Sequence, residues 1–158
     1  MKTVSVTIPS LNEATLLKKC LKSIRQQDYD QRKVEIIVAD GGSKDKTVEI
    51  TKKYGAVLLR ESSGSPEKAK AVALAKARND LILQLDCDNI LPTNHWLSDM
   101  VSVFEVEPKI VGCYTWRYTH RKTDTLLNRY FALFGVNDPV AFFLGKADRQ
   151  SYLKDSWS

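Results

Sequence analysis

Short apolar, β-branched runs alternate along this chain with segments whose apolar residues recur at helical spacing, and few folds accept that pattern. Val4-Ser5-Val6-Thr7-Ile8 reads as a strand, ended by Pro9-Ser10-Leu11-Asn12. Leu16, Leu17, Cys20, Leu21 and Ile24 then mark one face of a helix over residues 14–27. Val34 to Ala39 is a second strand, apolar enough to sit inside a parallel sheet, and Asp40-Gly41-Gly42-Ser43 is the turn that follows it. A short helix is expected from Asp45 to Tyr54, capped by Ser43 or Asp45, and a third strand from Ala56 to Leu59. Residues 61–66 read as a flexible loop, Ala69 to Ala77 as a helix, and Leu81 to Leu85 as a fourth strand. A helix from Asn94 to Glu105 and a strand from Ile110 to Tyr118 complete the pattern. The resulting β-α-β-α-β-α-β-α-β order predicts an α/β fold: a mostly parallel central sheet, helices on both faces and right-handed crossovers. Ligands of such sheets bind beyond the carboxyl ends of the strands.

Composition closes off several alternatives. The chain has no run of 18 apolar residues, so an ordinary transmembrane helix is excluded. A strand pattern begins at Val4 with no signal peptide before it, which leads us to expect a cytoplasmic protein. Cys20, Cys87 and Cys113 are few and scattered, and predict reduced thiols rather than a disulfide framework or a zinc motif. The net charge of +5 is concentrated in residues 1–60, which hold 12 basic and 7 acidic side chains. Such an excess suits an anionic ligand or an acidic membrane surface, but it is not the dense patch of a nucleic-acid binder.

The polar residues at the predicted carboxyl ends are the candidates for chemistry: Ser10, Asn12 and Glu13 after the first strand, Asp40 after the second, Asp86 and Asp88 after the fourth. Asp86-Cys87-Asp88 is the most informative group. Magnesium is typically held by one or two carboxylates together with substrate phosphates, and alternation along an extended chain directs Asp86 and Asp88 to the same side. Both also suit a simple turn, as does Asp40. The first strand is followed by Pro9-Ser10-Leu11-Asn12-Glu13 without a glycine, which argues against a nicotinamide or flavin dinucleotide fold. Lys70 lies on the predicted third helix, where a lysine near the N-terminal end reaches a phosphate; Lys76 reads as solvated. His95 and His120 read as surface residues, and Trp96 as packing.

These residues resemble a known family. Val4 to Glu13 is similar to the opening strand and loop of family 2 glycosyltransferases of the GT-A fold. Glu35 to Thr47 is similar to their second strand and turn, and Leu83 to Asn89, followed by Leu91-Pro92 and Trp96-Leu97, to their Asp-x-Asp region. The resemblance implies a nucleotide-diphosphate-sugar donor, UDP- or GDP-linked, and a divalent cation, Mg2+ or Mn2+. It implies that Pro9, Ser10, Asn12 and Glu13 line the base and ribose pocket with Asp40, that Asp86 approaches the ribose or donor sugar, and that Asp88, with Asp86, meets the metal. Family members often carry an arginine in the helix before the fourth strand, and Lys70 falls near that place. Gly41 stands where many relatives have a second acid, and Leu11 where many have an aromatic residue.

The function this implies is inverting, metal-dependent transfer of a sugar to a saccharide, lipid-linked or protein acceptor. Residues 1–118 would form the nucleotide-sugar-binding core and 119–158 the start of an acceptor-side region, the chain being a fragment of a longer enzyme. The general base is not identified; Asp138, within Asn137-Asp138-Pro139, reads as a turn. Two rival readings are a nucleotide-sugar-binding module without turnover and, with less support, a sugar nucleotidyltransferase, which typically has a glycine-rich basic loop after its first strand. Arg117 to Lys122 is a basic cluster suited to an anionic acceptor or a membrane surface, and Tyr130 to Phe143 is rich in aromatic residues.

Overall fold

The structure is a computed structural model that describes residues 1–107, 109–113 and 125–126. The chain divides into two compact units, Met1–Lys109 and Ile110–Ser158. The elements of the first unit run β1 (Val4–Ser10), α1 (Ala14–Arg25), β2 (Val34–Asp40), α2 (Thr47–Lys53), β3 (Val57–Arg60), α3 (Pro66–Lys76), β4 (Leu81–Gln84) and α4 (Trp96–Val106), with a single 3-10 turn at Gln31–Lys33. The four strands form an all-parallel sheet in the order β3-β2-β1-β4. The expected fifth strand is not formed over residues 110–113, and its remainder lies outside the described residues. The basic cluster from Arg117, His120, the aromatic segment from Tyr130 and Asp138 also lie outside them. Among the described residues no helix is long and apolar enough to cross a membrane.

Period-two alternation decides which side of the sheet each strand residue faces. Val4, Val6, Ile8, Val34, Ile36 and Val38 share one face and pack with Leu17, Cys20, Leu21 and Ile24 of α1 and with Leu97 and Val101 of α4. Leu17, Leu21 and Ile24 are fully buried; side chains of this size stabilise a fold by about 1.5–3 kcal/mol each. Ile37 and Ala39 face the other way and meet Ala69, Ala73 and Ala77. The small alanine side chains let α3 lie close to the sheet, so the helices cover both faces as the sequence predicts.

The strand order has a consequence for function. From β1 the chain moves outward through β2 to β3, with α1 against one face. It then returns over the other face through α3 to place β4 on the far side of β1. The direction of winding therefore reverses between β1 and β4. In open α/β sheets a crevice opens at that reversal, beyond the carboxyl ends of the two strands.

Pro9 does not end β1, which continues to Ser10. In a parallel pair both polar groups of a residue point to the same neighbour. Thr7 O accepts the Leu85 N–H at 3.0 Å, so Pro9, two residues on, is aimed at the β4 side. β4 pairs with β1 only as far as Thr7, so Pro9 has no ladder donor to supply.

Candidate functional site

A cleft of about 230 Å³ opens at that reversal point. One wall is Pro9, Ser10, Leu11 and Glu13 at the end of β1, together with Gly41 after β2; Asp86 and Cys87 come from the end of β4. The opposite wall is Gly64, Ser65, Pro66 and Ala69, at the start of α3. The alanine-rich pattern predicts the start of this helix at Ala69 and a loop over residues 61–66. The helix begins three residues earlier because Ser65 accepts the Lys68 N–H at 3.3 Å as N-cap and Pro66 occupies the first turn. Ser65-Pro66-Glu67 is the sequence signal that locates this wall.

The first two loops are joined to each other before either can meet a ligand. Asn12 sits at φ 55°, in the left-handed region that asparagine tolerates. Its N–H donates to Ser43 Oγ at 2.8 Å, and its Oδ1 accepts the Lys44 N–H at 2.8 Å. Helix α1 has no side-chain cap of its own; Asp45 Oδ2, from the next loop, accepts the Ala14 N–H at 3.0 Å. Hydrogen bonds from the Thr47 side chain and from backbone amides, Ala14 among them, hold the Asp45 carboxyl below its ordinary range.

Asp40 is only 1% exposed. It accepts from the Gly42 N–H at 3.3 Å and from the Ser43 N–H at 3.1 Å, so its carboxylate closes the turn and its neighbour Gly41 lines the cleft instead. Gly41 is there for a steric reason: a Cβ at this position would stand 3.3 Å from both Cβ and Cδ1 of Leu11. The Leu11 side chain occupies that space and forms part of the wall.

Lys70 and Asp86 are brought together, with Nζ 2.9 Å from Oδ1. Both side chains are about half exposed, so the pair itself adds little stability. It does place one cation beside a cleft-lining carboxylate. The strand alternation that the sequence suggests for the two aspartates does not reach them. β4 ends at Gln84, and the chain turns through Cys87-Asp88, with the Asn89 N–H donating to Asp86 O at 3.0 Å. Asp86 lines the cleft, while Asp88 is exposed on the turn and accepts from Asn89 Nδ2 at 2.9 Å.

Ser10 Oγ is buried without a hydrogen-bond partner, on the cleft wall. The nearby Cys87 thiol is influenced by it but makes no well-formed bond to it. A buried hydroxyl without a partner is costly, and a ligand group in the cleft would satisfy it. Burial raises the Cys87 thiol, with the negative charges of Glu13 and Asp88 adding to the effect. Cys20 is pushed up to about 12, chiefly by burial. The upward shift of both thiols favours the neutral form over the reactive thiolate.

The donor set bears on the metal. Among the described residues no three His, Cys, Asp or Glu side chains converge as a ready-made cage. Two exposed carboxylates one residue apart fit a hard cation that completes its shell with water and ligand phosphates, which is how magnesium is usually held.

Comparison with known proteins bears on the fold and the family. The chain is 32% identical over 97 residues to the poly(ribitol-phosphate) beta-N-acetylglucosaminyltransferase TarS of Staphylococcus aureus, covering 58% of this chain and 17% of TarS. It is 31% identical over 105 residues to the glycosyltransferase AglE of Haloferax volcanii, covering 63% and 34%. The chain thus spans at most about a third of the length of these relatives. Among solved structures, S. aureus TarS matches with a TM-score of 0.62 at 27% identity, over 66% of this chain and 20% of that one. The mannosyltransferase PcManGT of Pyrobaculum calidifontis, solved with GDP-Man and Mn2+, matches with a TM-score of 0.62 at 28% identity, over 69% and 34%. These neighbours share the GT-A architecture. The family model for glycosyl transferase family 2 matches residues 5–154, and the chain belongs to that family.

Proposed function

We propose that this chain binds the nucleotide-diphosphate-sugar donor of a metal-dependent, inverting glycosyltransferase. The Lys70–Asp86 pair, whose aspartate lines the β1/β4 cleft, carries the reading. A lysine held beside a carboxylate, one turn into a capped 11-residue helix whose N-terminus lines the cleft, makes one end of the cleft receptive to an anion. On donor binding, Lys70 Nζ transfers its charge-assisted hydrogen bond from Asp86 to a phosphate oxygen. Asp86, released, would be free to meet the ribose or to help hold the cation. The Ser10 hydroxyl donates to the nucleoside end, and Leu11 over Gly41 gives the base an apolar surface.

Asp88, with Asp86, would hold Mg2+ or Mn2+. When bound, the cation supplies charge neutralisation for the departing nucleoside diphosphate. PcManGT was solved with GDP-Man and Mn2+, which supports the same ligand class here. Fixing the donor in the cleft leaves its anomeric carbon open to an acceptor hydroxyl, and alignment alone lowers the barrier substantially.

Calorimetric titration with UDP and GDP, in Mn2+ and in chelator, on wild type and Asp88→Ala tests this. The expected result is binding of one nucleotide that depends on Mn2+ and disappears in Asp88→Ala. Binding indifferent to chelator, or no binding by a folded protein, contradicts it.

A further inference from the structure

The connection that carries both aspartates runs from Leu85 to His95 without regular secondary structure. That is long for a link inside a compact α/β unit. Its near end is tied to the sheet by the Leu85 N–H on Thr7 O. Its far half is held from behind, by the C-terminal end of α1. Leu91 N–H donates to Ser23 Oγ at 3.1 Å, and that hydroxyl donates to Cys20 O at 2.7 Å. Gln27 Nε2 donates to Thr93 O at 2.7 Å and to Ser23 O at 3.1 Å, while Gln27 Oε1 accepts the Leu97 N–H at 2.8 Å. The Asp28 N–H adds a bond to Asn94 O at 2.8 Å.

Ser23 and Gln27 are 8% and 6% exposed, so these bonds form away from water. Leu97 is the second residue of α4, whose N-cap, His95, makes no side-chain capping bond. Gln27, two residues beyond the end of α1, therefore supplies the cap. Leu91 and Leu97 are buried in the core beside Cys20, Leu21 and Ile24 and fix the same segment by packing. Apolar packing tolerates sliding. A buried amide with its donors and acceptor all satisfied does not, and it specifies one arrangement.

We infer that Gln27, assisted by Ser23, is a positioning residue for the Asp86–Asp88 turn: it touches no ligand and sets where the two carboxylates stand. Its effect on the ligand rests on the donor-binding reading above. Gln27→Met keeps the length of the side chain and removes its three hydrogen bonds. Ser23→Ala is the milder variant, removing the Leu91 acceptor and the hydroxyl's own bond to Cys20 O. Arg25→Met is the control: it lies on the same helix as Ser23, bonds Tyr54 O, Gly55 O and Gln31 Oε1, and has no hydrogen bond to the loop.

Amide hydrogen exchange on the full chain, alongside UDP–Mn2+ titration, reads both parts. In Gln27→Met the amides of Asn89, Leu91 and Leu97 should exchange about tenfold faster, or more, relative to those of Val6 and Ile36, and UDP–Mn2+ affinity should fall about tenfold. Ser23→Ala should move the same amides less. Arg25→Met should leave both the loop amides, relative to the sheet, and the affinity unchanged. Uniform loosening of loop and sheet overturns the inference, and so does a loosened loop with wild-type affinity. If wild type binds no nucleotide, the donor reading fails by itself. Selective loosening of the loop then still supports the positioning role, and uniform loosening overturns it.

Discussion

Removing the Lys70 charge separates the two parts this residue plays. In Lys70→Met the aliphatic stem is kept and the 2.9 Å contact with Asp86 is lost. Both side chains are about half exposed, and an exposed pair of this kind is worth roughly 0.2–1 kcal/mol. Folding stability should therefore fall by no more than about 1 kcal/mol. A charge-assisted hydrogen bond to a phosphate is worth more, about 1.5–3 kcal/mol. At about 1.4 kcal/mol per factor of ten, nucleoside diphosphate affinity should fall roughly 10- to 150-fold. Lys70→Arg keeps the charge and should retain most of the affinity. Urea denaturation gives the first quantity, and calorimetry at low and moderate salt gives the second. Salt should weaken wild-type binding more than Lys70→Met binding, because one phosphate contact is missing from the variant. The reasoning is refuted if affinity changes less than twofold, or if the loss of stability equals the loss of binding.

Asp45→Asn should destabilise the fold by about 1 kcal/mol at neutral pH, since it weakens a cap supplied across two loops. The folded Asp45 carboxyl is held below its ordinary value of 3.8, so its contribution is present above that value and is lost as pH falls through the lower folded value; the gap between wild type and variant should close on acidification. Gly41→Ala should weaken nucleotide binding more than stability, because the new Cβ meets Leu11 at 3.3 Å and moves it within the cleft wall; Leu11→Ala in the same chain should relieve the defect in packing. Leu21→Ala, in the fully buried centre between α1 and the sheet, should cost about 2–5 kcal/mol by thermal or denaturant unfolding and leave the nucleotide affinity of the folded fraction intact.

The sheet is legible in the sequence because its strands carry their own pattern. Val34 to Ala39 is apolar nearly throughout, as a strand covered on both faces should be. Val4 to Ile8 alternates: its valines and isoleucine face α1, while Ser5 and Thr7 turn to the α3 side and bond to Glu35 and Leu83 O. Asp40 is readable as a turn residue because its partners, Gly42 and Ser43, lie two and three residues away. Local chemistry misleads at two places. Pro9 reads as a stop, although a proline facing a vacant ladder position is tolerated, and the alanines of α3 draw attention away from its Ser65-Pro66 start. Other features have no local signal. Asp45 capping α1 spans 31 residues, and Gln27 capping α4 spans 70. Neither is visible until the fold brings the partners together, because a glutamine at position 27 reads as any polar residue at a helix end. Lys70 lies between these cases. Its charge is evident in the sequence, but its meeting with Asp86 depends on α3 crossing to the opposite face and β4 returning beside β1.

The cleft between the ends of β1 and β4 should receive the diphosphate of a sugar nucleotide. Titrating the isotope-labelled chain with UDP and with GDP in Mg2+, followed by backbone amide resonances, tests this residue by residue. The account predicts shifts at Ser10, Leu11, Gly41, Gly64, Ser65, Asp86 and Cys87 with one of the two nucleotides, and none at Gly55 or Arg32, which do not line the cleft. Saturating nucleotide that leaves those cleft resonances in place, or shifts a different set, would contradict it.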